Sequence, residues 1–238
     1  MFKERSEKKE LLDLEDIDVI DLQSNLDELD VINKYLGGHK ISIAGLRTIF
    51  KKRSDHEHWH IADIGCGGGD SLRAFERWAL QSGMDIRLSG VDLKADCIEY
   101  CNQFKNVRSE IQYYQNDYKI WLEENPDVDI VHAALFCHHL SDDQIIDLIS
   151  FCLERKVILM INDLERNPAA YYSIKVLTRF FSRSHLVRHD APLSVLRGFR
   201  KKEWDRLIRR TEATNYKIYN KWAFRHLVII YPDSNAAI

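Results

Sequence analysis

The feature that most limits what this chain can fold into is a regular alternation of two periods. Apolar, β-rich runs stand at His60–Ile64, Ile86–Val91, Ile111–Tyr114, Val128–Leu135 and Lys156–Ile161. Helical patterns fill Ser71–Gln81, Ala95–Phe104, Tyr118–Glu123 and Asp142–Leu153 between them. Strands joined through helices pair in parallel by right-handed crossovers, with helices on both faces of the sheet. Runs that are apolar nearly throughout fit burial on both sides. Ser141, followed three residues on by Gln144, gives the last of these helices a capping box. The expected fold class is α/β, a doubly wound sheet.

The flanks follow other rules. Leu22, Leu26, Leu29, Ile32 and Leu36 repeat at helical spacing within Asp21–Lys52, Gly37-Gly38 stops that helix, and Ile41–Phe50 reads as a second. Lys51–His58 is a polar link. After Asp163 the alternation breaks. Arg166–Arg200 is a basic, aromatic insertion with one expected helix, Ala169–Phe181, and another helix follows near Lys202–Thr211. Tyr216–Tyr219 and Phe224–Tyr231 are close enough to form a hairpin.

At 238 residues, 45% hydrophobic, the chain suits one globular domain with a lid. A net charge of −3 makes no global case for nucleic acid or membrane. The distribution says more: eight acids and no base lie between Leu11 and Asp30, against twelve Lys/Arg and three acids between Arg166 and Arg210. MFKERSEKKE leads into LLDLEDIDVID rather than an apolar core, so no secretory signal is expected. No apolar run approaches the ~18 residues of a membrane span. Five scattered cysteines (66, 97, 101, 137, 152) read as reduced, buried thiols in a cytoplasmic protein.

Two motifs compete in HEHWHIADIGCGGGD, residues 56–70. His56, Glu57 and His60 spell the H-E-x-x-H of zinc proteases, which needs both histidines on one face of a helix. A helix there would destroy the strand that His60 opens, so no metal is assigned. The glycine turn has strand before it and helix after it, the setting in which a bare backbone approaches a nucleotide-like ligand. Its spacing is G-x-G-G-G rather than the dinucleotide G-x-G-x-x-G, and Asp70 stands where a pyrophosphate would bind. Asp92, 29 residues beyond Asp63 in SGVDL, can accept both hydroxyls of a ribose. The combination favours a nucleoside without phosphates.

DIGCGGGD, GVDL, Asn116-Asp117-Tyr118 and DIVHAALFCHHLSD, in that order, resemble the class I S-adenosylmethionine-dependent methyltransferases, and among them the small-molecule enzymes of the ubiquinone/menaquinone type. The resemblance spans Trp59–Asp163. It implies a Rossmann-like methyltransferase sheet of seven strands with the last antiparallel, residues 1–55 as a helical lid, and residues 56–238 as the methyltransferase domain, with 166–200 covering the substrate. It also implies roles. Gly65, Gly67 and Gly69 form the turn beneath the methionine part, and Asp63 supports its amino end. Asp92 takes the ribose hydroxyls, Leu93 packs on the adenine, Asp117 accepts from the adenine amino group with Asn116 as the alternative, and Ala134 and Leu135 line the methionine. S-adenosylmethionine is the expected cofactor and S-adenosylhomocysteine its product.

The sulfonium already activates the methyl group, so such an enzyme aligns a nucleophile and excludes water. A base is needed only if the acceptor must lose a proton. Candidates are His138 and His139, of which strand alternation lets one face the pocket, and His189 in the insertion. Ser141 or Gln144 is placed to orient that base. Tyr171, Tyr172, Phe180, Phe181 and Phe199 suit a flat apolar acceptor. Arg183, Arg188 and Arg197 offer partners for a carboxylate or phosphate, or for an acidic carrier protein.

The expected function is methyl transfer to a small-molecule acceptor (phenol, quinol or polyketide-like), at oxygen before carbon, by a monomer or homodimer. A C-methyltransferase and an RNA methyltransferase are the alternatives. Against RNA, strand four ends in LFCHH and no N/D-P-P-Y/F tetrad follows it. An NAD-dependent oxidoreductase and a non-catalytic cofactor-binding scaffold are more remote.

Overall fold

The computed structural model describes residues 2–13, 17–53, 58–104 and 109–232. Its strands are β1 (Trp59–Ile64), β2 (Ile86–Asp92), β3 (Gln112–Gln115), β4 (Ile130–Ala134), β5 (Ile158–Leu164), β6 (Asn215–Lys221) and β7 (Arg225–Tyr231). They form one seven-stranded sheet in the order β3-β2-β1-β4-β5-β7-β6. The first five are parallel, and β7 runs antiparallel to both β5 and β6. This is the expected α/β architecture with its antiparallel end. The strand order reverses between β1 and β4, which opens a crevice at their carboxyl ends.

The helices are α1 (Val19–Tyr35), α2 (Gly38–Lys52), α3 (Asp70–Ser82), α4 (Ala95–Gln103), α5 (Tyr118–Glu124), α6 (Asp142–Glu154), α7 (Pro168–Phe181), α8 (His185–Arg197) and α9 (Lys201–Ile208). Alternate residues of the central strands feed a core on each face. Ala62, Ile64, Val131 and Ala133 pack with Leu148, Trp121 and Trp204 on one side. Ile61, Ile130, Met160 and Leu227 pack with Leu46, Ile49, Leu72 and Phe75 on the other. All five cysteines are buried and free.

Four local expectations are corrected. β4 stops at Ala134, because Leu135 turns out of the strand at φ 51. β5 runs on to Leu164 and so carries Asn162 and Asp163 into the sheet. α2 starts at Gly38 rather than Ile41, so Gly38, His39 and Lys40 are its first turn, and of the two glycines only Gly37 takes the left-handed conformation (φ 77). The insertion holds two helices rather than one. α8 escaped notice because Pro192 lies inside it and because residues on most of its sides, from Leu186 to Arg197, are buried, which erases the amphipathic period.

His60 lies in β1, its Nε2 2.9 Å from Ser89 Oγ, so the zinc-protease pattern has no helix there; His56 and Glu57 lie outside the described residues. Among the described residues, no helix is long and apolar enough to cross a membrane.

Candidate active site

The carboxyl ends of β1 and β2 and the loop between β1 and α3 bring the expected cofactor residues together. Gly65 and Gly69 have φ of 62 and 72, a conformation that side chains with a Cβ resist. A Cβ on Gly65 would fall into the ring of Phe136, and one on Gly69 would stand 2.6 Å from the Tyr113 hydroxyl oxygen. The protein's own packing therefore demands glycine at both places. Asp92 at the end of β2 accepts from Gly67 N (2.9 Å) and Lys94 N (3.0 Å). A carboxylate has about four lone-pair sites, so acceptor capacity remains for two hydroxyls. Asp117 caps α5, accepting from Lys119 N (2.8 Å), while Asn116 N donates to Asp92 O (3.1 Å). Leu93 is exposed, and Leu135 lies on a cavity wall.

Three carboxylates surround the turn. Asp63 is buried, and its carboxyl is pushed up by burial and by the charges of Asp70 and Asp92, against the pull of His132. Burial also raises Asp92. Asp70 goes the other way: burial raises it, but the His39 and Asn33 hydrogen bonds (2.7 and 2.9 Å) and Arg73 hold it low. Such a field favours a cation and repels a diphosphate.

Asp63 also begins a buried polar chain that sequence reading missed. Its Oδ1 lies 2.6 Å from His132 Nδ1, His132 Nε2 lies 2.9 Å from Ser42 Oγ, and Asn162 Nδ2 donates to Ser42 Oγ (2.9 Å) and Gly38 O (3.0 Å). The turn is thereby tied through β4 and β5 to α2.

Beyond Leu135 lies an apolar cavity of about 550 Å³, walled by α1, α7 and α8 and by the hairpin tip at Trp222–Phe224. His138 and His139 both line it, contrary to the expectation that one would face away. Residues Cys137–His139 form a 3-10 turn, which lacks strand alternation, and their rings lie 4.2 Å apart. Asp163 accepts from His138 N (3.0 Å), and its Oδ1 lies 2.7 Å from His138 Nδ1. Burial raises Asp163, but the pairing with His138 outweighs it and keeps the carboxylate ionised. His138 Nδ1 therefore donates to it, leaving Nε2 as an acceptor.

That acceptor faces Glu10, which sequence analysis did not single out. The N-terminal segment lines the cavity with Glu10 and Leu12, and Leu11 N and Leu12 N donate to Asp190 (2.8 and 2.9 Å). Glu10 Oε1 stands 3.6 Å from His138 Nε2, and Oε2 stands 3.9 Å from His139 Nε2. Burial pushes the Glu10 carboxyl up from 4.5 to about 7, although His139, the Ser194 hydroxyl and Arg197 oppose the change. Asp13 Oδ1 lies 2.9 Å from His139 Nδ1. Burial raises Asp13 too, but His139 outweighs it and the carboxyl falls to about 2. Asp13 belongs to the acidic run from Leu11 to Asp30, whereas Glu10, just before it in MFKERSEKKE, gave no advance signal.

Other expected residues lie elsewhere. His189 is half-exposed on the outer side of α8, 2.7 Å from its neighbour Asp190, and borders a different cavity with Arg5 and Tyr171. Ser141 and Gln144 are engaged with each other in the capping box of α6. Arg197 donates to His138 O, His139 O and Lys8 O, and Arg188 donates to Ser182 O. These internal partners weaken both the substrate-anion and the RNA readings of the basic insertion.

The methyltransferase domain family matches residues 61–155. An indolepyruvate C-methyltransferase from Streptomyces griseus is 33% identical over 84 residues, 35% of this chain and 25% of the relative, so the chain spans about a quarter of that protein. The plantazolicin methyltransferase BpumL in complex with SAH superposes with a TM-score of 0.64 at 14% identity, over 90% of this chain and 96% of that one. The CurJ carbon methyltransferase also gives 0.64, at 13% identity, over 92% and 62%. Residues 61–155 match the methyltransferase domain family, and the chain shares the fold of these solved methyltransferases.

Proposed function

We propose that the protein transfers the methyl group of S-adenosylmethionine to carbon in a small acceptor with an acidic C–H, such as a 2-oxo acid bearing an apolar or aromatic side chain, and releases S-adenosylhomocysteine. The observation that carries this reading is the buried Asp163–His138–Glu10 array on the wall of an apolar cavity. A carbon acid must lose a proton before it can attack, and here an imidazole held by Asp163 stands beside a Glu10 carboxyl that burial has raised to about 7. Carbon is preferred to the oxygen acceptor expected from the sequence because relatives named above are C-methyltransferases.

The three carboxylates and the glycine turn fit the cofactor. Asp92 would hold the ribose hydroxyls, Asp117 the adenine amino group, Leu93 one face of the adenine, and Asp63, steadied by His132, the cationic amino acid end. When bound, the cofactor supplies an electrophilic methyl on a sulfonium. His138 Nε2 takes the proton from the acceptor carbon while Asp163 holds its other nitrogen and stabilises the imidazolium. Asp63 and the glycine turn would hold the cofactor so that the freed carbon pair could take its methyl, with the electron pair of the S–CH3 bond left on sulfur. Glu10, beside Nε2, then receives the proton. Apolar walls keep water from competing.

The test is incubation with labelled cofactor and phenylpyruvate-like 2-oxo acids, locating the new methyl by NMR. A methyl on the carbon next to the carbonyl supports the reading; a methyl ether, or no product from any 2-oxo acid, overturns it.

A further inference from the structure

The cavity beside His138 does not end at the insertion. A second one, about 680 Å³, lies between α1 and α7, and Ile32, Leu36, Ile174 and Leu177 line both. The two therefore adjoin, with these four side chains as their shared wall. The outer end of the second is apolar and open: Tyr35 is 80% exposed and Phe181 81%, with Val31 beside them. A contiguous apolar patch of this kind marks a binding surface more often than a lone exposed residue does.

Thr178, Asp27, Glu28 and Ser182, which line the second cavity, are engaged. Thr178 Oγ1 donates to Ile174 O (2.9 Å) within its own helix, and Asp27 accepts from the Tyr100 hydroxyl (2.5 Å). Glu28 accepts from the Ser182 hydroxyl, Arg183 N (2.7 Å) and Ser184 N (3.0 Å). That carboxylate clamps α1 to the turn between α7 and α8, so the groove stands preformed and a ligand meets little ordering cost.

We infer that this groove is a distal subsite for the acceptor itself, and that the acceptor is an elongated molecule with an apolar tail. The reacting end lies at His138, the middle passes between Ile32 and Leu177, and the tail leaves over Tyr35 and Phe181. Adjacency to the reaction cavity across that shared wall of apolar side chains assigns the occupant. The inference rests on the methyl-transfer reading above, and a binding measurement separates the two.

Unbranched 2-oxo acids of four, eight and twelve carbons are titrated by calorimetry into the protein saturated with S-adenosylhomocysteine, and the same acids are assayed for methylation. Full burial of a methylene strengthens binding about fourfold; in a half-open groove roughly twofold per methylene is expected. In Phe181→Ser, and separately in Tyr35→Ser, the ratio of the twelve-carbon to the four-carbon Kd loses about tenfold or more of that advantage. A Kd that does not change with length, or a ratio untouched in both variants, overturns the distal subsite even if the four-carbon acid is methylated. A length dependence that the variants abolish, with no acid methylated, supports the subsite and overturns the reaction assigned to it. Flat length dependence together with a dimer that Phe181→Ser dissociates gives the groove to a second copy and overturns the proposal.

Discussion

Glu10 is the most exacting test of the site, because its role depends on being buried with no full compensation. Replacing it with glutamine keeps the shape and the Ser194 contact (2.9 Å) but fixes the group in a neutral form. The Glu10 carboxyl moves from 4.5 to about 7 on folding. The folded state therefore binds the proton more tightly than the unfolded chain, and the stability this confers is complete below 4.5 and lost as pH rises through about 7. At about 1.4 kcal/mol per pH unit, most of that interval falls between pH 5 and 8, and the wild type loses roughly 2–3 kcal/mol there. Glu10→Gln carries no such loss. In a chain of this size 1 kcal/mol moves Tm by roughly 2–4 °C. The gap in Tm, variant minus wild type, should thus widen by roughly 5–10 °C from pH 5 to pH 8. The low-lying Asp13 carboxyl, at about 2, stays ionised throughout and adds nothing to the window. Thermal melts at four pH values decide the matter. A gap that is constant with pH, whatever its sign, would refute the assignment of Glu10 as a buried carboxyl that takes up protons near neutrality.

Three further outcomes follow from the same geometry. Asp163→Asn should leave cofactor binding by calorimetry within twofold of wild type but lower kcat/KM about 100-fold or more, because the His138 ring loses its fixed tautomer and the stabiliser of its charged form. Asp92→Ala removes the carboxyl proposed to accept two ribose hydroxyls, each such bond contributing about 1.5–3 kcal/mol, so the S-adenosylmethionine Kd should rise at least about 100-fold with the melt still cooperative. Gly65→Ala combines a positive φ of 62 with a collision against Phe136 and should cost about 2–4 kcal/mol in urea unfolding; adding Phe136→Ala should restore part of it, and no restoration would mean the conformation alone is responsible.

What was legible in the sequence was whatever is encoded locally. The alternation of periods from His60 to Ile161, the capping box at Ser141 and the glycine turn each report interactions between residues close in the chain, and all three stand in the structure. The buried chain from Asp63 through His132 to Ser42 was not legible, because its members come from β1, β4 and α2 and each alone looks like an ordinary core or helix residue. The pairing of His138 with His139 was misjudged for a related reason. Alternation holds only while the backbone is extended, and Leu135 at φ 51 ends the strand before either histidine is reached. α8 shows the limit of amphipathicity, since a helix buried on most sides has no polar face to announce it.

The placement of Glu10 explains why the base array requires the insertion and the N-terminal segment together. A 3-10 turn of three residues satisfies few of its own carbonyls. Here Arg5 donates to His138 O and Leu140 O (3.2 and 2.7 Å), and Arg197 donates to His138 O and His139 O (3.1 and 3.2 Å), one guanidinium from each side. Arg5 lies on the same stretch of chain that carries Glu10, and Arg197 ends the helix whose Ser194 and Asp190 hold that stretch down. The groups that roof the cavity are thus the groups that fix the histidines within it. Lifting the N-terminal segment would withdraw Glu10 and Arg5 in one movement, leaving the turn carbonyls half-satisfied and His138 Nε2 without its proton acceptor. If substrate enters by displacing this segment, its return would also assemble the proposed base, and the two would be a single event.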